Sequence, residues 1–350
     1  MHVSLTGQVQ KFITASRTGR RRMPNGRKIG RGTIANYKAC HRLLSEYEEK
    51  QNRTVRVYAG LHIGKQVFTQ ERKYWQQFYH SWSDFLYGKG YFDNYIADMF
   101  KILRTLLNWL HKEKGWLVNS IAPSGYITKE QISIVVLSPE QLQFLINDSD
   151  FQRSLSPCLQ RVKDIFVTGC TVALRVSDLL KLTGKNIEEA GGRHYLVVHS
   201  GKTQARTRVL LPDYIMEIFK KYNRKYKTLL PPMANGNLNI QLKVLAEKAG
   251  WTDIVAKTRM QRGIAQVRYK DKRNKKLHRF CDLVTSHTMR RTAITTMLTL
   301  GMPEHLVRKV SGHAANSREF YRYVNLSQQY LDKETTRVFD LLGGKQTSEL

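Results

Sequence analysis

Near the C-terminus the chain reads His287-Thr288-Met289-Arg290-Arg291-Thr292, then Ser311-Gly312-His313, then Tyr321-Arg322-Tyr323-Val324. A histidine, an arginine, a second histidine and a tyrosine therefore follow in order within 35 residues. Attack of a phenol on a phosphodiester calls for this set of groups. Arginine is permanently charged, and its planar fork donates two parallel hydrogen bonds to phosphate oxygens. Donors aimed in advance at developing charge are often the largest catalytic contribution. His287 precedes Arg290 by three positions, which puts both on one face of a helix. Tyr321 is the candidate nucleophile. A free phenol has a pKa of about 10, so a base or a strong positive field has to help it ionise.

Two further candidates lie upstream. Arg175 sits in Ala173-Leu174-Arg175-Val176-Ser177-Asp178, with Asp178 three residues on to orient an arginine in this region. Lys202 sits in Ser200-Gly201-Lys202-Thr203, between two short strand-like runs, Tyr195–His199 and Arg208–Leu211. A lysine projecting from a strand connection can give a proton to a leaving oxygen. The sequence offers no convincing carboxylate cluster for two-metal chemistry and no Gly-x-x-x-x-Gly-Lys phosphate loop. Metal-free chemistry with no cofactor is the expectation.

Charge points to a polyanionic partner. The 350 residues hold 58 Lys+Arg against 28 Asp+Glu, a formal +30. Ten basic residues and no acidic one fall in Met1–Ser45; ten more, opposed only by Asp271, fall in Lys257–Arg279. Such charge binds phosphate backbones through release of counterions. Tyr269 and Phe280 interleave with the second basic stretch, as suits a backbone-facing surface. The partner expected is double-stranded DNA. Apolar content of 41% supports real cores and argues against disorder overall. No apolar run approaches the roughly 20 residues of a membrane span, and no secretory h-region opens the chain. Cys40, Cys158, Cys170 and Cys281 are widely spaced, which excludes a CxxC zinc pattern and fits a reducing cytoplasm. The expected location is cytoplasmic, at the nucleoid.

The chain divides by pattern. Residues 1–32 read as a basic arm broken by glycines, with ordered structure possible around Val9–Thr14. Residues 33–120 read as helical, a first helix being capped by Thr33. Trp75, Phe78, Trp82, Phe85 and Leu86 recur at three- and four-residue steps, as do Ile96, Met99, Leu103, Leu106, Leu107 and Leu110; both stripes predict core-facing helix. A linker follows over 121–137, its end strand-like at Ile132–Leu137. Ser138-Pro139-Glu140-Gln141 is a helix start, with serine as cap, proline at the first position and a glutamine to bond back. The second domain is expected over 138–350, opening with helices. The strand pair comes next, then helices at Asp213–Tyr226 and Leu238–Gly250, a loop or ribbon at 257–279, and helices again from Thr288. The fold class expected is mainly α with a small β-sheet.

These residues resemble the tyrosine recombinases of the phage-integrase family. That family's pattern is an arginine after a helix-borne Gly/Ala-Leu, a hairpin lysine, His-x-x-Arg, Gly-His, and a tyrosine soon after. The matching positions are Arg175, Lys202, His287, Arg290, His313 and Tyr321, in that order, and the likeness covers about residues 138–330. Ala173 stands where glycine is frequent, and Tyr323 where histidine is. The resemblance implies a helical core-binding domain at 33–120, a mixed α/β catalytic domain at 138–350, and arm-site binding by residues 1–32. It implies that Arg175 and Arg290 clamp the scissile phosphate and that Lys202 is the general acid. His287 would assist proton transfer, His313 would position the phosphate, and Tyr321 would form a 3′-phosphotyrosyl link without ATP. It further implies a homotetramer exchanging strands through a Holliday junction, contacts from Leu331–Leu350, and accessory DNA-bending proteins.

Two other functions fit parts of the sequence. Ala293–Leu300, Gly301 and Pro303–Val310 read as a helix-turn-helix, which would make a non-enzymatic DNA-binding regulator. That reading accounts for the charge but not for Arg175, Lys202 or Tyr321. A type IB topoisomerase would share the chemistry and need no partner site.

Overall fold

A computed structural model describes residues 1–118, 130, 134–199, 206–314 and 317–324, and, further on, 332, 335, 336, 339, 340, 342 and 343. The chain forms two compact units. It is mostly helical with small antiparallel sheets, as the sequence predicts.

The first unit comprises Met1–Ser133 together with Lys257–Arg268. Strand β1 (His2–Ser4) pairs antiparallel with β2 (Arg56–Tyr58), Val3 opposite Val57. Helix α1 (Leu5–Thr18) starts where the Ser4 hydroxyl accepts from the Gly7 N–H, and it ends at left-handed Gly19. Its Leu5, Val9, Phe12 and Ile13 are buried in the same core as α2 (Arg31–Gln51), α3 (Lys65–Gly88) and α4 (Asp93–Lys114). Residues 1–32 are thus not a separate arm. The steps of four and three between positions 5, 9 and 12 form an apolar helix face, and the basic residues lie around it. Helix α2 begins at Arg31 behind Gly30, two residues before the expected Thr33 cap. Both aromatic and aliphatic stripes, from Trp75 to Leu86 and from Ile96 to Leu110, pack inward. Glu71, almost fully buried, pairs with Arg56 at 2.6 Å and with His2 at 2.9 Å, which ties the β1–β2 pair to α3.

The second stretch of this unit is a hairpin. Strand β7 (Thr258–Gln261) pairs with β8 (Ile264–Val267) across a two-residue turn, Arg262-Gly263, both at positive φ. That is the geometry which matches strand twist. The buried Asp93 carboxylate accepts from the Arg262 N–H at 2.9 Å, the Gly263 N–H at 3.0 Å and the Tyr87 hydroxyl at 2.8 Å. Burial, and then the hydrogen bond to Asp93, push the Tyr87 phenol up to about 12. The basic stretch expected as loop or ribbon is therefore a ribbon here, bound to the start of α4.

The second unit holds 134–256 and 269–350. No strand forms over 134–137; the Leu137 N–H instead donates to the Thr292 hydroxyl at 3.0 Å. Helix α5 (Pro139–Asn147) has the predicted reciprocal cap between Ser138 and Gln141. Short α6 (Ser149–Ser154) leads to α7 (Pro157–Val172) and α8 (Val176–Leu179). A three-stranded antiparallel sheet follows, ordered β3 (Ile187–Ala190), β4 (Arg193–His199), β5 (Arg206–Leu210). Strand β3 had no sequence signal, because Glu188 and Glu189 interrupt its apolar pattern. Next come α9 (Asp213–Tyr222) and α10 (Asn235–Lys248). Strand β6 (Ile254–Val255) pairs with β9 (His278–Arg279). After α11 (Phe280–Leu283), the site helices α12 (Ser286–Thr299), α13 (Glu304–Ser311) and α14 (Arg318–Val324) complete the described fold.

Candidate active site

Three segments of the second unit meet around Arg290. Helix α12 begins at a reciprocal cap, in which the Thr285 N–H donates to the Thr288 hydroxyl at 3.0 Å. Arg290 follows in the helix's buried face with Met289, Ala293 and Ile294. Gly169 of α7 lies directly against this face. A methyl group built on Gly169 would stand 2.9 Å from the Met289 Cβ, so only glycine lets the two helices approach this closely.

Helix α7 ends at Ala173, in the left-handed region at φ 55°. An L-residue there costs about 1–2 kcal/mol, which a glycine would avoid. The Ala173 carbonyl accepts from Arg290 Nη1 at 2.7 Å. Two residues on, Arg175 is the N-terminal cap of α8, and its carbonyl accepts the Asp178 and Leu179 N–H groups, each at 2.9 Å.

Left-handed Gly312 ends α13 and delivers His313. The Ser311 hydroxyl donates to the Val307 carbonyl at 2.6 Å. Its single proton is thereby used, so it accepts from His313 Nδ1 at 2.8 Å. His313 Nε2 is then the nitrogen left to accept from Arg290 Nη2, at 3.2 Å.

The electrostatics follow from this crowding. Burial, and then repulsion from Arg175, hold the Arg290 guanidinium down to about 10, while Tyr323 and Asp178 oppose the shift. It remains charged at neutral pH. Burial, and then Arg290, Arg175 and Arg308, push His313 down to about 4. The imidazole is therefore neutral at pH 7, set among three arginines. An arriving phosphate would relieve the repulsion that this arrangement stores.

Helix α14 supplies the phenols. Phe320 is fully buried, whereas Tyr321 is 52% exposed. Tyr323 is half-buried, its ring centroid 5.9 Å from that of His313. The accessible hydroxyl-bearing ring of the pair is Tyr321, and Tyr323 packs against the site.

Of the residues expected from sequence, Arg175, Arg290 and His313 come together, with Tyr321 on the adjoining helix. His287 is exposed on the first turn of α12, one turn before Arg290. Lys202 lies outside the described residues, between the paired strand ends His199 and Arg206. The expected helix-turn-helix is α12, Gly301 and α13; its helices carry Arg290 and Arg308, so the pair is part of this site. Ser311 and Arg308 were not among the expected residues. Ser311 stood beside the Gly-His pair and was legible there; Arg308 looked like one more helix charge.

The model of the phage integrase family matches residues 160–329. Solved structures of similar fold include a XerH site-specific recombinase bound to palindromic difH substrate, with TM-score 0.55 and 15% identity, covering 96% of this chain and 84% of that one. A lambda integrase tetramer bound to a Holliday junction has TM-score 0.56 and 12% identity, with 90% and 79% coverage. The Tn1549 transposon integrase in complex with circular intermediate DNA has TM-score 0.53 and 14% identity, with 92% and 95% coverage. No curated protein matches the chain in sequence. The match to the phage integrase family model covers residues 160–329, which hold every residue of the candidate site.

Proposed function

We propose that this chain is a site-specific DNA recombinase, the integrase of a mobile element, acting through a covalent tyrosine. The observation that carries this is the meeting of Arg175, Arg290 and neutral His313, with Tyr321 exposed on the helix whose Phe320 and Tyr323 pack against His313. Two fixed cations and a histidine match a phosphodiester, and an exposed phenol lies on the adjoining helix α14.

The bond changes balance. The Tyr321 oxygen bonds to phosphorus as the bond from phosphorus to the 5′-oxygen breaks. His287 assists removal of the phenol proton. Lys202 gives a proton to the departing 5′-oxygen. Arg175 and Arg290 hold the non-bridging oxygens, where charge grows in the transition state, and His313 positions the phosphate. The 3′-phosphotyrosyl link keeps the energy of the broken bond, so a second 5′-hydroxyl reverses the step without ATP. No metal or cofactor enters.

The substrate in this proposal is double-stranded DNA at attachment sites. Its backbone is met by the basic surface, including Met1–Ser45. Strand exchange would take place in a homotetramer through a Holliday junction, with contacts from Leu331–Leu350 and with accessory DNA-bending proteins. A lambda integrase tetramer on such a junction has the same fold. The work would be done on DNA in the cytoplasm; no helix among the described residues is long and apolar enough to cross a membrane.

The test uses a duplex from the element's junctions, nicked near the cleavage point so that the covalent product is trapped. Tyr321→Phe should bind this DNA as wild type does and form no covalent complex. Arg290→Ala should cut the rate of complex formation by about 100-fold or more, as loss of an oxyanion donor does. Covalent complex formation by Tyr321→Phe at the wild-type rate would remove Tyr321 from the mechanism.

A further inference from the structure

We infer that Arg308 is the positioning residue for the nucleophile, an inference that rests on Tyr321 being that nucleophile. The Arg308 guanidinium carbon lies 4.1 Å from the Phe320 ring centroid and 4.8 Å from the Tyr321 ring centroid. Consecutive residues of a helix project about 100° apart. A group that touches both rings therefore fills the cleft between them. The Arg308 residue is 8% exposed, so its cation is largely shielded from solvent.

Its own placement is over-determined. Arg308 Nε donates to Glu304 Oε1 at 2.8 Å, one turn back on α13. Arg308 Nη1 reaches the Ala314 carbonyl at 3.4 Å. The Arg308 carbonyl accepts the His313 N–H at 3.0 Å. One residue thus contacts the nucleophile's ring through its side chain and the phosphate-side histidine through its backbone. Arg308 is also among the charges that hold His313 in its neutral form.

The physical consequence concerns geometry. Tyr321 is half exposed, and an exposed ring on a seven-residue helix has several rotamers open to it. In-line attack tolerates few of them. A guanidinium held over the ring narrows the choice through a cation–π contact. Its neighbour Phe320, locked in the core, gives the contact a rigid side. The cation also stands where negative charge spreads over the ring as the phenol ionises, although Glu304 offsets part of that field.

The experiment compares full-length wild type, Arg308→Gln and Arg308→Lys on the nicked duplex under single-turnover conditions. Each is run on two substrates, one ordinary and one with sulfur in place of the bridging 5′-oxygen. A thiolate departs without needing a proton, so the sulfur substrate bypasses any defect on the leaving-group side. The expected result for Arg308→Gln is a slowing of covalent complex formation by about 10- to 100-fold, the scale of a small misplacement of reacting atoms. DNA affinity should be unchanged, and the sulfur substrate should give no rescue. Arg308→Lys should recover part of the rate, since it keeps the cation and loses the planar guanidinium. If Arg308→Gln melts below the assay temperature, the lysine variant carries the comparison, and its slowing should again resist the sulfur substrate.

Wild-type rates in both variants, with the wild-type adduct found on Tyr321, would overturn the role of Arg308 and leave the recombinase reading intact. Rescue by sulfur would move Arg308 to the leaving-group side and overturn it too. An adduct on Tyr323 in the wild type would remove the nucleophile assignment and, with it, this inference.

Discussion

His313 shows what individual side chains contribute here. Its folded pKa of about 4 lies below the ordinary histidine value of 6.5, because burial and three arginines disfavour a further charge. Between those two values the unfolded chain binds a proton that the folded chain refuses. Stability linked to His313 is therefore fully present above pH 6.5 and is lost as the pH falls toward 4. Replacing it removes that dependence. The melting temperature of wild type minus that of His313→Gln should be greatest near pH 7 and shrink steadily toward pH 4. A difference constant across that range would mean that His313 does not titrate as its surroundings demand.

The residues of the site were legible in unequal degree. Arg290 and His313 could be read from spacing because the chemistry of a phosphate fixes both residue type and order. Arg175 could be read only with its local Ala-Leu context. Arg308 could not. In sequence, Glu304 and Arg308 form an ordinary i, i+4 pair of the kind found on solvated helices. What covers Arg308 is Phe320, 12 residues later, and only folding brings that ring back.

At the level of elements, the site depends on how closely α7 and α12 approach. Gly169 is the closest point, with no room for a methyl beside Met289 and Leu179. Gly169→Ala gains intrinsic helix propensity of about 1 kcal/mol, but overpacking a tight core costs about 1–3 kcal/mol. The steric cost wins if the helices cannot part. Denaturant unfolding should then show net destabilisation, together with a slower cleavage step, because Arg290 moves with Met289. Equal or greater stability with full activity would show that α12 shifts without disturbing the site.

Helices with long apolar stripes were plain in the sequence, since periodicity is a local property. The stripes from Trp75 and from Ile96 land in the core of the first unit as read. The hairpin at 258–267 was not plain. Its strands are four residues each, and its anchor, Asp93, is 169 residues from Arg262. Helix α1 was obscured in another way. Its basic surroundings and glycines imitate a flexible arm, while the apolar face of Leu5, Val9 and Phe12 is short.

At the scale of the whole molecule, charge and architecture both suit the proposed substrate. A formal +30 gives a field that draws in a polyanion and makes its binding steeply dependent on salt. The fold is shared with recombinases solved on DNA, at identities of 12–15%. Residues 160–329 match the phage integrase family model, yet charge and fold alone would suit a protein that only binds DNA. What separates an enzyme from a binder is the covalent bond.

The direct measurement is therefore of that bond. Wild-type protein would be incubated with the nicked junction duplex, denatured, digested, and searched by mass spectrometry for a nucleotide-bearing tyrosine. The account predicts a 3′-phosphonucleotide on Tyr321. An adduct on Tyr323 would contradict the assignment of the nucleophile, and tight DNA binding with no adduct on any tyrosine would contradict the chemistry as a whole.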